Sequence, residues 1–319
     1  MSSLYKTLWV MLAALMLAAC QPAAEPESGG AVEGEEAVAV ESSSEAPVVE
    51  VETSSERLAA VLADQVEAMR ERYDQRHPQE TLEFFGIEPG MTVMEALPGG
   101  GWYSRILRPY LGSEGRLIGA NYPIRLFQQF DFATPEFLES IANWPETFPE
   151  QAAGWCEGDC APVSAFWIGD MPTTMVETAD AVLFIRALHN MARFQKAGIE
   201  DFLDQAMTNA FDVLKPGGVM GVVQHEADES MSDDWASGEA GYLKRSFVIA
   251  AAEAAGFELE AASDINANPA DQPSESDVVW RLPPSLGTTE EGSEERAAME
   301  AIGESNRMTL RFRKPVSVF

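Results

Sequence analysis

The sequence predicts an α/β fold, a doubly wound and mainly parallel sheet covered on both faces by helices. Short apolar runs alternate along the chain with segments whose apolar residues recur at helical spacing, the pattern of strand–helix–strand units. The first strong run, Val93 to Leu97, meets three consecutive glycines, Gly99, Gly100 and Gly101. It passes straight into a helical pattern through Trp102, Ile106, Leu107, Tyr110 and Leu111. Hydrophobic residues make up 46% of the chain, enough to fill the core that such a sheet needs.

In chain order, residues 1–20 read as a targeting segment. Lys6 gives a minimal positive start, and Leu8 to Ala19 is an apolar stretch too short for a comfortable membrane span. It ends in Leu17-Ala18-Ala19-Cys20, which resembles the bacterial lipobox, where the cysteine is lipidated and becomes the mature N-terminus; an ordinary signal peptide with a chance cysteine is the alternative. Acyl chains on Cys20, at ~0.8 kcal/mol per buried CH₂, would hold the protein on a lipid bilayer. Gln21 follows the cysteine, and the resemblance to the sorting pattern of Gram-negative lipoproteins implies the outer membrane, facing the periplasm. Residues 21–56 carry ten glutamates and no basic residue, and read as a flexible acidic tether.

The folded domain is expected over 57–319. Leu58, Val61, Leu62, Val66 and Met69 form one helical face, ending in Arg70-Glu71-Arg72, and a second helix opens at Pro78 and closes at Gly86. Strands follow over Val93 to Leu97, Leu117 to Asn121, Val163 to Ile168, Ala181 to Ile185, Val219 to Gln224, Phe257 to Ala261 and Met308 to Phe312. Between them lie helices ending at Gly112, opening at Pro123, running from Ile199 to Leu214, and running from Leu243 to Ala255 before Gly256. Residues 131–162, rich in Trp, Phe and Pro, break the alternation and read as an insertion or lid. Residues 264–306, polar and rich in Pro, Ser and Glu, read as a surface loop with one short helix near Glu295 to Ile302.

The net charge is −31, from 52 acidic against 21 basic residues, so nucleic-acid phosphates would be repelled and DNA and RNA are set aside as partners. Cys156 and Cys160 stand four apart around Glu157-Gly158-Asp159. In an exported chain a local disulfide is the first expectation, with free thiols or a metal site as alternatives. A zinc site would need two further ligands, which three scattered histidines at 77, 189 and 225 do not readily supply.

A strand, a glycine turn and a helix make a site for an anionic or nucleotide-like group. Glycine lets the backbone approach a ligand, and the helix start aims free N–H groups at it. This unit, with Glu95 at the strand tip, Asp170 after a later strand and the turn Leu214-Lys215-Pro216-Gly217-Gly218, resembles class I S-adenosylmethionine-dependent methyltransferases. PGGGWY (98–103), RALHN (186–190), LKPGGVMGVVQH (214–225) and FRKP (312–315) further resemble a bacterial group of exported predicted methyltransferases, over residues 70–319. The resemblance implies a Rossmann-like, seven-stranded, mainly parallel sheet and S-adenosylmethionine as cofactor. It implies that Gly99, Gly100 and Gly101 admit the cofactor's methionine and ribose, that Glu95 orders the loop, and that Asp170 meets the adenine amino group. Two positions depart from the family pattern: Leu97 stands where the first glycine is usual, and Asn121 stands where an acidic residue usually holds the ribose.

His189 and His225 each follow a strand, at the sheet edge where such folds bind ligands. A histidine with an ordinary pKa near ~6.5 can take a proton from an attacking hydroxyl or amine, and His189 is the first choice. Arg186 is a candidate anchor for a substrate carboxylate, with pairing to an acid of this acidic domain as the alternative. Trp102 and Tyr103 are candidates for substrate contact, with core packing as the alternative. The expected function is methyl transfer from S-adenosylmethionine to a small-molecule acceptor. The alternative is a non-catalytic, ligand-binding envelope lipoprotein that keeps the fold.

Overall fold

The computed structural model describes residues 52–316. Cys20, the targeting segment and most of the acidic tether lie outside the described residues. Among the described residues no helix is long and apolar enough to cross a membrane.

Eight strands form one sheet: β1 (Thr92–Ala96), β2 (Arg116–Asn121), β3 (Val163–Trp167), β4 (Ala179–Ile185), β5 (Leu214–Ala227), the two-residue β6 (Leu243–Lys244), β7 (Glu258–Ser263) and β8 (Arg307–Arg313). The order is β3-β2-β1-β4-β5-β8-β7, with β6 paired to the end of β5. β1 to β5 pair in parallel, and β8 runs antiparallel to both β5 and β7. This is the α/β, Rossmann-like, doubly wound and mainly parallel sheet that the sequence predicts. All seven long strands fall where the apolar runs predict them. The chain winds outward from β1 to β3, then returns to β4 on the other side of β1. That reversal makes the β1–β4 crevice the topological switch point, where such sheets take ligands.

The strand sequences dictate the two layers. Side chains on a strand alternate between faces. Met94, Ala96, Val182, Phe184, Met220 and Val222 therefore join one core, while Val93, Ala181, Leu183 and Val223 join the other. Each fully buried Leu, Val or Phe contributes roughly 1.5–3 kcal/mol of transfer free energy.

The helices on the Val93 side begin with α1 (Ser54–Ala63), whose start is fixed by a capping box: Glu56 N–H donates to Thr53 Oγ1, and Thr53 N–H to Glu56 Oε2. The one helix expected over 58–69 is instead two, because α1 stops at Asp64 and Val66, 64% exposed, leaves the apolar face. α2 (Glu67–Arg70) and α3 (Tyr73–Arg76) follow, then α4 (Pro78–Phe85), closed by Gly86 at φ +70°, and α5 (Trp102–Leu111). After β2 come α6 (Ile124–Phe127), whose Leu126 and Phe127 join the opposite core, then α7 (Pro135–Ile141) and α8 (Trp144–Ala153). Residues 131–162 thus supply α8, which crosses from β2 to the parallel β3 and packs on it, Phe148 and Trp144 fitting over the bare backbone of Gly119.

The other face carries α9 (Leu188–Lys196), α10 (Phe202–Val213) and α11 (Arg245–Ala254). The sequence pattern did not reveal α9, whose amphipathic stripe is short and lies directly behind Arg186-Ala187. α12 (Glu294–Ile302) sits in the segment 264–306. That segment is more than a surface loop. Asn266, Asp271, Val279, Arg281, Leu282, Glu304 and Ser305 are buried, and the segment closes over the ends of β4 and β5.

Candidate functional site at the strand ends

On the β1–β2 side the chain leaves β1 through a turn of unusual backbone. Leu97, Gly99 and Gly101 all have positive φ, at +53°, +53° and +80°. A non-glycine residue in the left-handed region is uncommon and costs roughly 1–2 kcal/mol. The backbone therefore keeps a glycine-type turn at 97 although a leucine stands there. Gly99 and Gly100 border open space, with only Leu97 O near a Cβ on Gly99 and nothing near one on Gly100. Gly101 differs, because its missing Cβ is filled by the Trp155 ring. Trp155 in turn lies under the Arg105 guanidinium, 4.7 Å from the ring centre. The loop that holds it closes on itself through the Cys156–Cys160 disulfide. Asp159 pins the same loop, accepting from Ser113 N–H at 2.7 Å and pairing with Arg57 at 3.0 Å. The Ser113 N–H comes first among the contacts that push the Asp159 carboxyl down to about 2.

Glu95 is buried beneath the turn. Its Oε2 accepts from Ser104 Oγ at 2.5 Å, which ties β1 to the first turn of α5. Burial pushes its carboxyl up to about 7, against the lowering effect of that hydrogen bond. Asn121 ends β2 half-buried, its Oδ1 accepting from Tyr122 N–H. Asp170 lies in the exposed turn after β3, with Arg125 3.8 Å away. The start of α5 has no side-chain cap. Glu95, the glycines, Asn121 and Asp170 thus line one edge of the sheet, at the ends of β1, β2 and β3.

The β4–β5 side holds a cavity of about 280 Å³, near the lower end of the roughly 300–1,000 Å³ usual for small-molecule sites. Leu97, Ile185, Val279, Trp280, Leu282 and the Pro283-Pro284 pair supply its apolar wall. Arg186, His225, Ser285, Glu304 and Ser305 supply the polar one. A larger groove of about 520 Å³ lies between α9 and α11, away from the strand ends, and holds none of the predicted site residues.

His225 Nδ1 lies 2.5 Å from Ser305 Oγ, which leaves Nε2 as the nitrogen free for a ligand. His189 is the second residue of α9; it does not line the cavity, and its ring centre is 5.6 Å from that of His225. The geometry therefore reverses the expected order of the two histidines. Burial lowers both pKa values, His189 to about 4 and His225 well below the usual histidine range, so both rings are neutral at pH 7. His189 Nδ1 is buried with no partner.

Arg186 also has positive φ, +57°, and its N–H donates to Val223 O. Its side chain is one-quarter exposed, and its nearest charge is Glu304 at 3.6 Å. Glu304 is shared: Arg72 lies at 3.4 Å, Arg76 at 2.9 Å and Arg307 at 3.0 Å. Trp102 and Tyr103 pack against this cluster, with the Arg76 guanidinium 4.7 Å over the Trp102 ring. Neither aromatic lines the cavity, and burial pushes the Tyr103 phenol up to about 12. Glu304, Ser305, Trp280, Arg76 and Arg307 went unnoticed in the sequence, and Trp155 stood out only as one aromatic of the segment 131–162. For Trp280, Glu304 and Ser305 the one local signal is the departure of 264–306 from strand–helix alternation, which reads equally as an ordinary loop. Among the described residues no group of three or more His, Cys, Asp or Glu is placed to hold a metal.

Neither a protein-family model nor a curated protein matches this chain. Among solved structures it is similar to a chain of the complex between the Haloferax volcanii Trm112 methyltransferase activator and the putative methyltransferase, at 18% identity over 81% of this chain and 97% of that one, TM-score 0.46. A SAM-dependent methyltransferase from Aquifex aeolicus is similar at 13% identity over 81% and 98%, TM-score 0.45. The [4+2]-cyclase SpnF is similar at 18% identity over 76% and 81%, TM-score 0.45. Likeness this distant leaves the fold to rest on the order and polarity of the strands themselves.

Proposed function

We propose that this protein transfers a methyl group from S-adenosylmethionine to a small-molecule acceptor. The observation that carries it is the position of Leu97. This residue belongs to the glycine-type turn after β1 and also to the wall of the cavity beyond β4, so a cofactor on the turn and an acceptor in the cavity would be neighbours.

The residues fit such a cofactor. Gly99 and Gly100 leave the open space a ligand needs, the uncapped start of α5 offers N–H groups, and Asn121 presents an amide at the end of β2. When bound, the cofactor supplies an electrophilic methyl on a positively charged sulfur. The protein's own tasks are to align, desolvate and handle one proton. Glu95 holds β1 to α5 and so fixes the turn. The apolar wall of Leu97, Ile185, Val279 and Leu282 excludes water. His225, neutral, can receive a proton at Nε2 from an acceptor hydroxyl or amine in the tautomer whose Nδ1–H donates to Ser305 Oγ.

A second reading has its own observation. The Trp155 ring fills the place above Gly101 that a ligand would approach, and Leu97 replaces the first glycine. Both favour a binding lipoprotein that keeps the fold without the chemistry. An exported location favours it too, because S-adenosylmethionine would have to cross the inner membrane. We propose lipidation at Cys20 and outer-membrane anchoring on the lipobox resemblance alone. Cys20→Ala should then release the protein from the membrane fraction.

Calorimetric titration of the protein with S-adenosylmethionine and S-adenosylhomocysteine separates the readings. Micromolar binding that Gly100→Val weakens at least tenfold supports the enzyme. Absence of binding at millimolar concentration from a folded sample gives way to the binding protein.

A further inference from the structure

We infer that the cavity beyond β4 is a site for a small organic acid, its carboxylate held by the Arg186 guanidinium and its apolar body packed against Leu97, Val279, Trp280 and Leu282. This rests on the methyltransferase reading only in naming that acid as the methyl acceptor; the site itself is argued from its own geometry.

The first argument is charge. Around Glu304 four guanidinium groups, of Arg72, Arg76, Arg186 and Arg307, share one carboxylate, and none of the four has another ion-pair partner among the described residues. Three positive charges are thus left over at a place where Glu304, Arg76 and Arg307 are buried and Arg72 and Arg186 are partly so, in a chain whose net charge is −31. Uncompensated buried charge is costly, and an anion entering the cavity would lower that cost.

The second argument is which arginine is free. Arg76 and Arg307 donate to Glu304 within hydrogen-bond distance, and Arg307 also donates to Gln75 O. Arg186, at 3.6 Å from Glu304, makes no side-chain hydrogen bond among the described residues. It is also the one guanidinium of the four on the cavity wall. A planar fork with unused donors matches a carboxylate in bidentate fashion. Glu304 lines the same wall and repels an anion, but its charge is already taken up by Arg72, Arg76 and Arg307 behind it. The remaining wall is mostly apolar, and the volume of about 280 Å³ limits the body to a small aromatic or branched aliphatic group.

The test uses phenylacetate as probe, with phenylacetamide as its uncharged counterpart, titrated into the protein at pH 7.5 without cofactor. The acid should bind at least tenfold more tightly than the amide. Arg186→Met should remove that preference, and Arg186→Lys should keep part of it. Unchanged melting of the apo variants would exclude unfolding as the cause. Equal binding of acid and amide, no binding of either, or an unaltered preference in Arg186→Met would overturn the inference. The cofactor's own amino-acid carboxylate is a competing source for the same chemistry. If Arg186→Met weakens S-adenosylhomocysteine but leaves 5′-methylthioadenosine unchanged, Arg186 serves the cofactor and the acceptor assignment fails. Because the phenylacetate arm contains no cofactor, failure of the methyltransferase reading leaves its result intact.

Discussion

The two sides of the β1–β4 switch point are built in contrasting ways. On the β1–β2 side the site is backbone: a turn with three positive φ values, an uncapped helix start and one buried carboxyl that ties them together. On the β4–β5 side it is side chains: Arg186, His225, Ser305 and Glu304, brought in from three separate stretches of sequence. The first surface is local, with Asp170 and Arg125 as its exposed charges, and is shielded in part by Trp155. The second carries surplus positive charge and a cavity. A backbone site recognises what many ligands share, whereas a charged cavity selects one class. On the proposed reading, general binding and specificity would be divided between the two sides of this crevice.

The largest test of this contrast removes the shared carboxylate. Glu304→Gln leaves four arginines without a counter-charge and should destabilise the fold by about 3–5 kcal/mol, measured by chemical denaturation. Added phenylacetate should recover part of the loss, and no destabilisation would mean the cluster is not electrostatically strained. On the backbone side, Gly101→Val collides with the Trp155 ring at φ +80° and should cost about 3 kcal/mol or more. Gly100→Val meets nothing within 4 Å and should change stability by under about 0.5 kcal/mol. Gly100 is therefore the position at which to block a ligand without unfolding the protein.

Acidity sharpens the comparison further. His189 has a folded pKa of about 4, below its unfolded value, so its contribution is fully present above about pH 6.5. As pH falls toward 4 that contribution is lost, by about 3 kcal/mol if it acts alone. Glu95 works in the opposite sense: its folded value of about 7 lies above the unfolded one, so its contribution is present below about pH 4.5 and lost as pH rises through 7. His189→Gln should flatten the acid limb of stability against pH, and Glu95→Gln should flatten the neutral limb. Unaltered slopes in either variant would remove that group from the account. The smallest effect is expected at Leu97. Leu97→Gly relieves left-handed strain worth roughly 1–2 kcal/mol but gives up a side chain packed on the cavity wall. Its net change in melting should be slight, while its effect on binding of phenylacetate should be a clear weakening.

Much of the backbone side was legible beforehand. The apolar runs located all seven long strands, and the glycines located the turn, because both signals are carried by neighbours in the chain. Even the departure at Leu97 was visible as a residue, although only its φ of +53° showed that the turn survives it. The charged side was nearly illegible. Arg186 and His225 stood out by their place after strands, yet the partners that give them meaning are remote: Arg76 and Glu304 are 228 residues apart.

By itself, then, the sequence determined the sheet, its mainly parallel sense and the place of the turn after β1. Alternating side-chain direction and the conformational freedom of glycine are properties of a few consecutive residues. The tertiary structure decided that Trp155 covers Gly101, that His225 and not His189 faces the cavity, and that four arginines converge on Glu304. Those facts are distances between charges and rings from distant segments, and no local period encodes which of them meet once the strands and helices pack.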